Sequence, residues 1–295
     1  MTDFSELSDF LRSRRAALTP EDIGLPQFAQ RRRVPGLRRE EVALAAGLSV
    51  THYTRLEQGR MQGVSDSVLG AVARTLRLNP DEYSHLQDLA RPEAPGPRRA
   101  PAPAAHQADQ SLCQLIDTFT DTPALVLDLR NDILAWNPMG HLLLGMHLDS
   151  DAPRTAAGRP NLTRMLFLDE RVRDLYPHWD DEAQLAVASL RLVAGRHPHD
   201  KRLAELVGEL IMNSEDFAAR WARHPVRTCV AGTKELHHPL VGAMELSFQS
   251  LVVPGPSEQR LIAYSARPGS GSEAGLRLLA ATLQVPYTDP ASTAD

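Results

Sequence analysis

Residues 38–60 read RREEVALAAGLSVTHYTRLEQGR, two helix-length pieces joined at a glycine and built largely from small side chains. Val42, Ala43 and Ala46 form the inner face of the first piece, at the spacing of a short helix. Gly47 stands where the chain must reverse within about three residues, and glycine takes the positive φ that such a turn requires. Ser49 then occupies the N-cap position of a second helix, where its hydroxyl accepts from a free backbone N–H. Tyr53 and Leu56 point back toward the first helix, and Gly59 ends the second. Small residues let two helices cross closely. The stretch therefore predicts a helix-turn-helix that turns Val50, Thr51, His52, Thr54, Arg55 and, past the turn, Arg60 outward.

The flanking sequence completes an all-helical domain over residues 1–90. Phe4, Leu7, Phe10 and Leu11 recur at helical spacing and give way near Thr19 and Pro20 to a new turn. After a start at Val64 and Ser65, Val68, Leu69, Val72, Ala73 and Leu76 make one apolar face. Asn79 and Pro80 open a last helix with Tyr83, Leu86 and Leu89 as its buried side. Charge is concentrated here: residues 10–60 carry ten Arg against five Asp or Glu, although the whole chain has a formal net charge of -5. That asymmetry fits a small nucleic-acid module attached to a larger acidic domain. Arg55 is the first choice as base reader, because a guanidinium bonds bidentately to guanine, while Thr51 and Val50 suit a thymine methyl. Ser49 and Arg60 join the same interface, and Arg38, Arg39 and His52 are assigned to phosphates. The competing reading is a plain helical hairpin with solubilising arginines. Thirty of the thirty-two Lys and Arg residues are Arg, which with the abundant Ala and Pro reads as coding bias, so not every Arg is assigned to a phosphate.

Residues 91–109, RPEAPGPRRAPAPAAHQAD, have five prolines and no bulky apolar side chain, as an extended interdomain linker would. The second domain is expected over 110–290, with 291–295 as a tail. It begins with an amphipathic helix, SLCQLIDTF, and a hairpin, PALVLDLRNDILAWN, in which Leu125, Leu127 and Leu129 alternate with their neighbours. A block of helices follows, then three strands near VRTCVAGTKELHH, GAMELSFQSLVV and QRLIAYSA, and a final helix, SEAGLRLLAATL. Two strands, a helical block and three antiparallel strands is the order of a PAS-like domain, whose sheet curls around a pocket walled by helices. The expected fold class is thus α+β: an all-α helix-turn-helix domain followed by a PAS-like antiparallel sheet with a helical insert.

Pocket candidates carry two readings each. Trp136 and Asn137 follow the second strand, as a pocket wall with its polar anchor or as ordinary core. Met165 and Phe167 from the helical block, with Leu246 and Phe248 from a late strand, line a pocket or form a buried stripe. In LHHPL, His237 and His238 precede an expected strand corner, where an imidazole bonds either a ligand carboxylate or nearby backbone. His197 and His199 lack a partner set at ligand spacing, so no metal is expected. No nucleophile elbow, Walker-type loop or dinucleotide loop is present, so no enzyme activity and no cofactor are expected. Cys113 and Cys229 read as buried, reduced thiols. No apolar run approaches the ~20 residues of a membrane span, and the acidic start is unlike a signal peptide, so a cytoplasmic location is expected.

The segment RRRVPGLRREEVALAAGLSVTHYTRLEQGR closely resembles the helix-turn-helix of the lambda-repressor-like, or XRE, transcription regulators, in the MmyB-like branch. LAWN, MLFLD, YPHWDDEA, LVGELIMNSEDFAARWARH and HHPLVGAMELSFQSLVVPG resemble the ligand-binding domain of that branch. The resemblance implies base contacts at Val50, Thr51 and Arg55, a phosphate contact at Arg39, and a sensor domain for an apolar, fatty-acid-like effector. A double-stranded DNA operator bound by a homodimer is the expected partner, since one recognition helix buries little surface. The alternative is that the second domain is a protein-interaction or dimerisation module without a small-molecule ligand.

Overall fold

The computed structural model describes residues 3–25, 36–61, 63–90, 107–156, 158–227, 230–254 and 258–284. Most of the linker, Cys229, and the tail at 291–295 lie outside the described residues. In chain order the helices are α1 (Asp3–Ala16), α2 (Arg39–Ala45), α3 (Val50–Glu57), α4 (Asp66–Thr75), α5 (Pro80–Ala90), α6 (Gln110–Asp117) and α7 (Pro138–Gly145). They continue as α8 (Leu162–Leu168), α9 (Glu170–Asp174), α10 (Trp179–Arg196), α11 (Lys201–Asn213), α12 (Glu215–Trp221) and α13 (Gly271–Gln284). The strands are β1 (Ala124–Leu127), β2 (Ile133–Trp136), β3 (Ala231–His238), β4 (Gly242–Val252) and β5 (Arg260–Ser265). Packing groups them into two units, one of Met1–Arg98 with Gln184–Thr228, the other of Arg99–Ala183 with Cys229–Asp295.

In the first unit Leu7, Phe10 and Leu11 of α1 are buried with Val42, Ala43, Tyr53, Leu56, Leu69, Val72 and Leu86, so α1 to α5 share one core. The buried side of α5 is Glu82, His85, Leu86 and Ala90; Tyr83 and Leu89 are only partly covered. Leu192 of α10 and Val226, which follows α12, belong to the same core, which extends it to residues that the sequence places with the sheet domain. Gly195 of α10 makes this possible, since a Cβ there would sit 2.5 Å from Cε1 of His85. Arg191 lies with its guanidinium 3.8 Å from the centre of the Trp221 ring and donates to the Trp221 carbonyl. Arg14 bonds Glu82 at 2.7 Å and donates to the His224 carbonyl.

The second unit is a five-stranded antiparallel sheet in the order β2-β1-β5-β4-β3. The expected two strands, helices and three strands are present, and the short α9 is an addition to them. One face carries Leu125, Leu127, Ile133, Leu236, Met244, Leu246, Phe248, Ile262 and Tyr264, packed with side chains of α7, α8 and α13. A bulge between Val126 and Leu127 puts Leu134 on the other face, where Leu112 and Ile116 of α6 cover Ala124, Val126 and Leu261. Gln259 ties the start of this unit down, accepting from Asp109 N and donating to the Gln107 carbonyl. Cys113 on α6 is a free thiol, half-buried where full burial was expected.

Burial in the first unit has a pH consequence. His85 is 1% exposed and is pushed down to about 3, first by burial and then by the charges of Arg191, His224, Arg14 and Arg196. His224 is pushed down to about 4 by burial, Arg191 and Arg14, against the opposing effect of Asp9. Both imidazoles fold neutral, so the unfolded chain takes up protons that the fold refuses. Stability is then complete above about pH 6.5 and falls as the pH drops toward 4, by up to about 1.4 kcal/mol per pH unit per histidine. Urea unfolding at several pH values between 7 and 4.5 measures this slope. His85→Leu, whatever its own stability, should have a slope shallower by about one proton.

Candidate nucleic-acid interface and ligand-binding domain

The outward face of α3 is set by how its two ends are fixed. Ser49 has extended backbone and its hydroxyl accepts from His52 N at 3.1 Å, as expected of an N-cap. At the other end Gly59, with φ +67°, lets Gly59 N reach Leu56 O and Arg60 N reach Arg55 O, a Schellman closure. The preceding helix α2 ends the same way, through Gly47 N to Leu44 O and Leu48 N to Ala43 O. Both glycines named from the sequence thus sit at left-handed positions. Between the caps, Tyr53, Leu56 and Glu57 are buried, and Val50, Thr51 and Arg55 are exposed. Arg60 is exposed just past the turn.

Beneath this face is a buried carboxylate the sequence reading missed. Glu57 has no solvent exposure and is held by Arg15 from α1 at 3.2 Å and by Arg39 from α2 at 3.1 Å. Arg15 also donates to the Leu37 carbonyl, which fixes the approach to α2. Arg39, assigned from sequence to a phosphate, therefore has its guanidinium directed at Glu57, with 38% of its side chain exposed. Arg38 stands at the head of α2, where Glu41 accepts from its backbone N at 2.7 Å and leaves its side chain partly exposed. His52 is half-buried with Nε2 shielded from solvent and unbonded, so a phosphate contact from this ring would use Nδ1. The signal for the ion cluster was an acidic residue on the apolar face of α3, beside Tyr53 and Leu56.

In the sheet domain the pocket candidates separate. Leu246, Phe248 and Met165 belong to the core between the sheet and its helices, and Phe167 lies edge-on to Trp179 at 5.5 Å. Asn137, expected as a polar anchor for a ligand, is wholly buried and spent on backbone. Its Oδ1 accepts from Ala124 N and Gly140 N, while its Nδ2 is shared among the carbonyls of Thr122, Phe119 and Ile116. An Asn side chain has no further capacity beyond these bonds. His238, expected opposite a ligand carboxylate, is also committed to backbone, through Nε2 to Leu142 O and Nδ1 to Leu240 N. Burial holds it below the usual histidine range, against the Leu142 hydrogen bond. His237 faces solvent. Trp136 donates to the Ser150 carbonyl at 2.7 Å and borders a cleft of about 330 Å³ with Cys113, Ile116, Leu134, Pro153 and Arg154.

Comparison with protein families gives two matches. Residues 6–86 match a helix-turn-helix domain, and residues 108–279 match the MmyB-like transcription regulator ligand binding domain, more than half of the chain. The chain belongs to the MmyB-like transcription regulators. A search of curated proteins finds no match to it. The regulator joins a DNA-binding helix-turn-helix to a ligand-binding domain, and both matched families are of the transcription-regulator type. Among the described residues, no helix is long and apolar enough to cross a membrane.

The two kinds of arginine in this MmyB-like regulator are separable by measurement. Removing one partner of a buried ion pair leaves an uncompensated charge and costs about 3–5 kcal/mol. Glu57→Met should therefore lower unfolding free energy by about 3 kcal/mol or more, and Arg39→Met should lower it by a smaller amount. Arg60→Met should leave the unfolding curve unchanged while reducing the salt slope of binding to a random duplex by about one. An unchanged melting curve for Arg39→Met would remove the structural role given to that side chain.

Proposed function

We propose that this regulator reads a specific operator through the exposed face of α3 and answers to an apolar small molecule held by its sheet domain. The observation that carries the reading is the exposure of Val50, Thr51 and Arg55 together on a helix fixed at both caps and anchored from below through Glu57. Arg55 supplies the guanine contact and Thr51 and Val50 the thymine contacts, while Arg38 and Arg60 lie on phosphates. The regulator works as a homodimer, because two such helices about 34 Å apart bury the surface that one module lacks. The effector changes operator affinity only through different affinities for two states of the protein. The sheet domain's core supports an apolar ligand chemically: Leu125, Ile133, Leu246, Phe248 and Ile262 offer little to a polar one.

Gel-shift titrations with the DNA upstream of the regulator's own gene test the reading helix. Arg55→Ala with Thr51→Ala should weaken specific binding at least tenfold, at about 1–3 kcal/mol per lost base contact, with non-specific binding little changed. Equal affinity of the double variant and the parent for the specific site would show that α3 is not the reader. Native mass spectrometry of the freshly purified protein tests the sensor: a retained apolar molecule supports it. The same affinity for DNA with and without a bound molecule favours an interaction module instead.

A further inference from the structure

The unit that holds the reading helix has a second surface, at the C-terminal ends of α2 and α4. Two adjoining hollows open there, of about 290 and 590 Å³, and Arg74 and Arg77 line both. Ile23, Ala45 and Ala46 give the first an apolar side, and Leu78, Pro80 and Tyr83 do the same for the second. Leu44, next to Ala45 in the last turn of α2, is 72% exposed. Both arginines are exposed, and among the described residues neither guanidinium is bonded to a carboxylate. Asp22, next to Ile23 in the chain, accepts instead from the N–H and hydroxyl of Thr19, at 2.7 and 2.8 Å. Arg77 also occupies a position that disfavours it. α4 closes with Arg77 N to Arg74 O and Leu78 N to Ala73 O, the same two bonds that end α2 and α3. The left-handed residue of that closure is Gly47 after α2 and Gly59 after α3, with φ of +68° and +67°; after α4 it is Arg77, with φ +51°. Glycine takes that conformation without strain and arginine does not. An arginine kept where glycine would relieve strain points to a use for its side chain.

Guanidiniums without a carboxylate, set between apolar hollows, are complementary to one kind of surface: carboxylates flanked by apolar side chains. Duplex phosphates are a poorer match, because the hollows would stay empty against them. The surface also lies away from the reading face: Ala45 and Ala46 close α2 about 10–12 Å along its axis from Arg38, the residue placed on a phosphate. We propose that the ends of α2 and α4 form a docking surface for an acidic, amphipathic segment of another protein. Arg74 and Arg77 meet its carboxylates, and the two hollows take its apolar side chains. This goes beyond operator reading and ligand sensing and rests on neither. Because the two surfaces are separate, the segment and the operator are held at the same time.

Fluorescence anisotropy with the full-length protein tests this, using a labelled peptide of about 14 residues with Leu at i, i+3, i+4 and i+7 and Glu elsewhere. Two controls replace every Glu by Lys or every Leu by Ser. The Leu–Glu peptide should bind about tenfold more tightly than either control, and more weakly as salt rises. Arg74→Met with Arg77→Gly should remove that preference. Arg77→Gly alone should weaken the peptide several-fold without lowering the melting midpoint, because glycine relieves the backbone. Melting curves establish that both variants are folded, and binding of a random duplex should be the same for the parent and the double variant. Equal binding of all three peptides by the parent, or an intact preference in the double variant, overturns the docking surface. A salt slope of duplex binding reduced by about two would put the arginines on phosphates. A dimer that sediments as a monomer after the double substitution would put a second copy of the chain on this face. Either result also overturns the proposal.

Discussion

A carboxylate without solvent contact organises the DNA-binding helices. Glu57 receives hydrogen bonds from Arg15 on α1 and Arg39 on α2, so a single residue ties α3 to the two helices packed with it. An ion pair of this kind returns little net stability, because desolvating the charges costs about as much as their attraction gains. Its contribution is positional: the carboxylate satisfies two guanidiniums in only one rotation of α3, and that rotation leaves Val50, Thr51 and Arg55 outside. Apolar packing of Tyr53 and Leu56 alone would tolerate a few degrees of roll. A base-edge contact would not.

The sheet domain uses a neutral version of the same device. Asn137 closes the connection between β2 and α7 by bonding five backbone groups drawn from α6, the loop before β1, β1 itself and α7. Asn161 does so again at α8, capping Thr163 N and Arg164 N while donating to Arg130 O and to Asp132. Buried polar groups left unpaired cost about 1–3 kcal/mol each, so both residues are constrained by many partners at once. The two asparagines fix where helices leave the sheet and satisfy the backbone groups at those corners.

These facts mark where the sequence was legible. Caps, turns and amphipathic faces are local, and Ser49, Gly47, Gly59 and the alternation of Met244, Leu246 and Phe248 announced themselves through residue type and spacing. Asn137 and His238 were legible as unusual polar residues near a strand end, but their partners are backbone carbonyls and amides distant in the chain or at a corner. Side-chain identity gives no signal for those. The same limit hid Glu57: a carboxylate at an apolar position signals a buried charge without saying which of ten nearby arginines answers it.

The grouping of α10 was least legible, for a physical reason. Its buried residues include Trp179, Ala183, Val187, Ala188, Leu190, Arg191, Leu192 and Gly195, which leave no single polar face by which to orient it. A helix buried on several sides announces that it has neighbours and is silent about which. Here its first turn belongs to the sheet unit, where Trp179 donates to the Leu166 carbonyl, and the rest to the DNA-binding unit, where Gly195 gives His85 its space. Both cores are close-packed, and close-packed cores respond to displacement in steps. A helix whose residues are divided in this way between two cores cannot be assigned to either from its own pattern of burial.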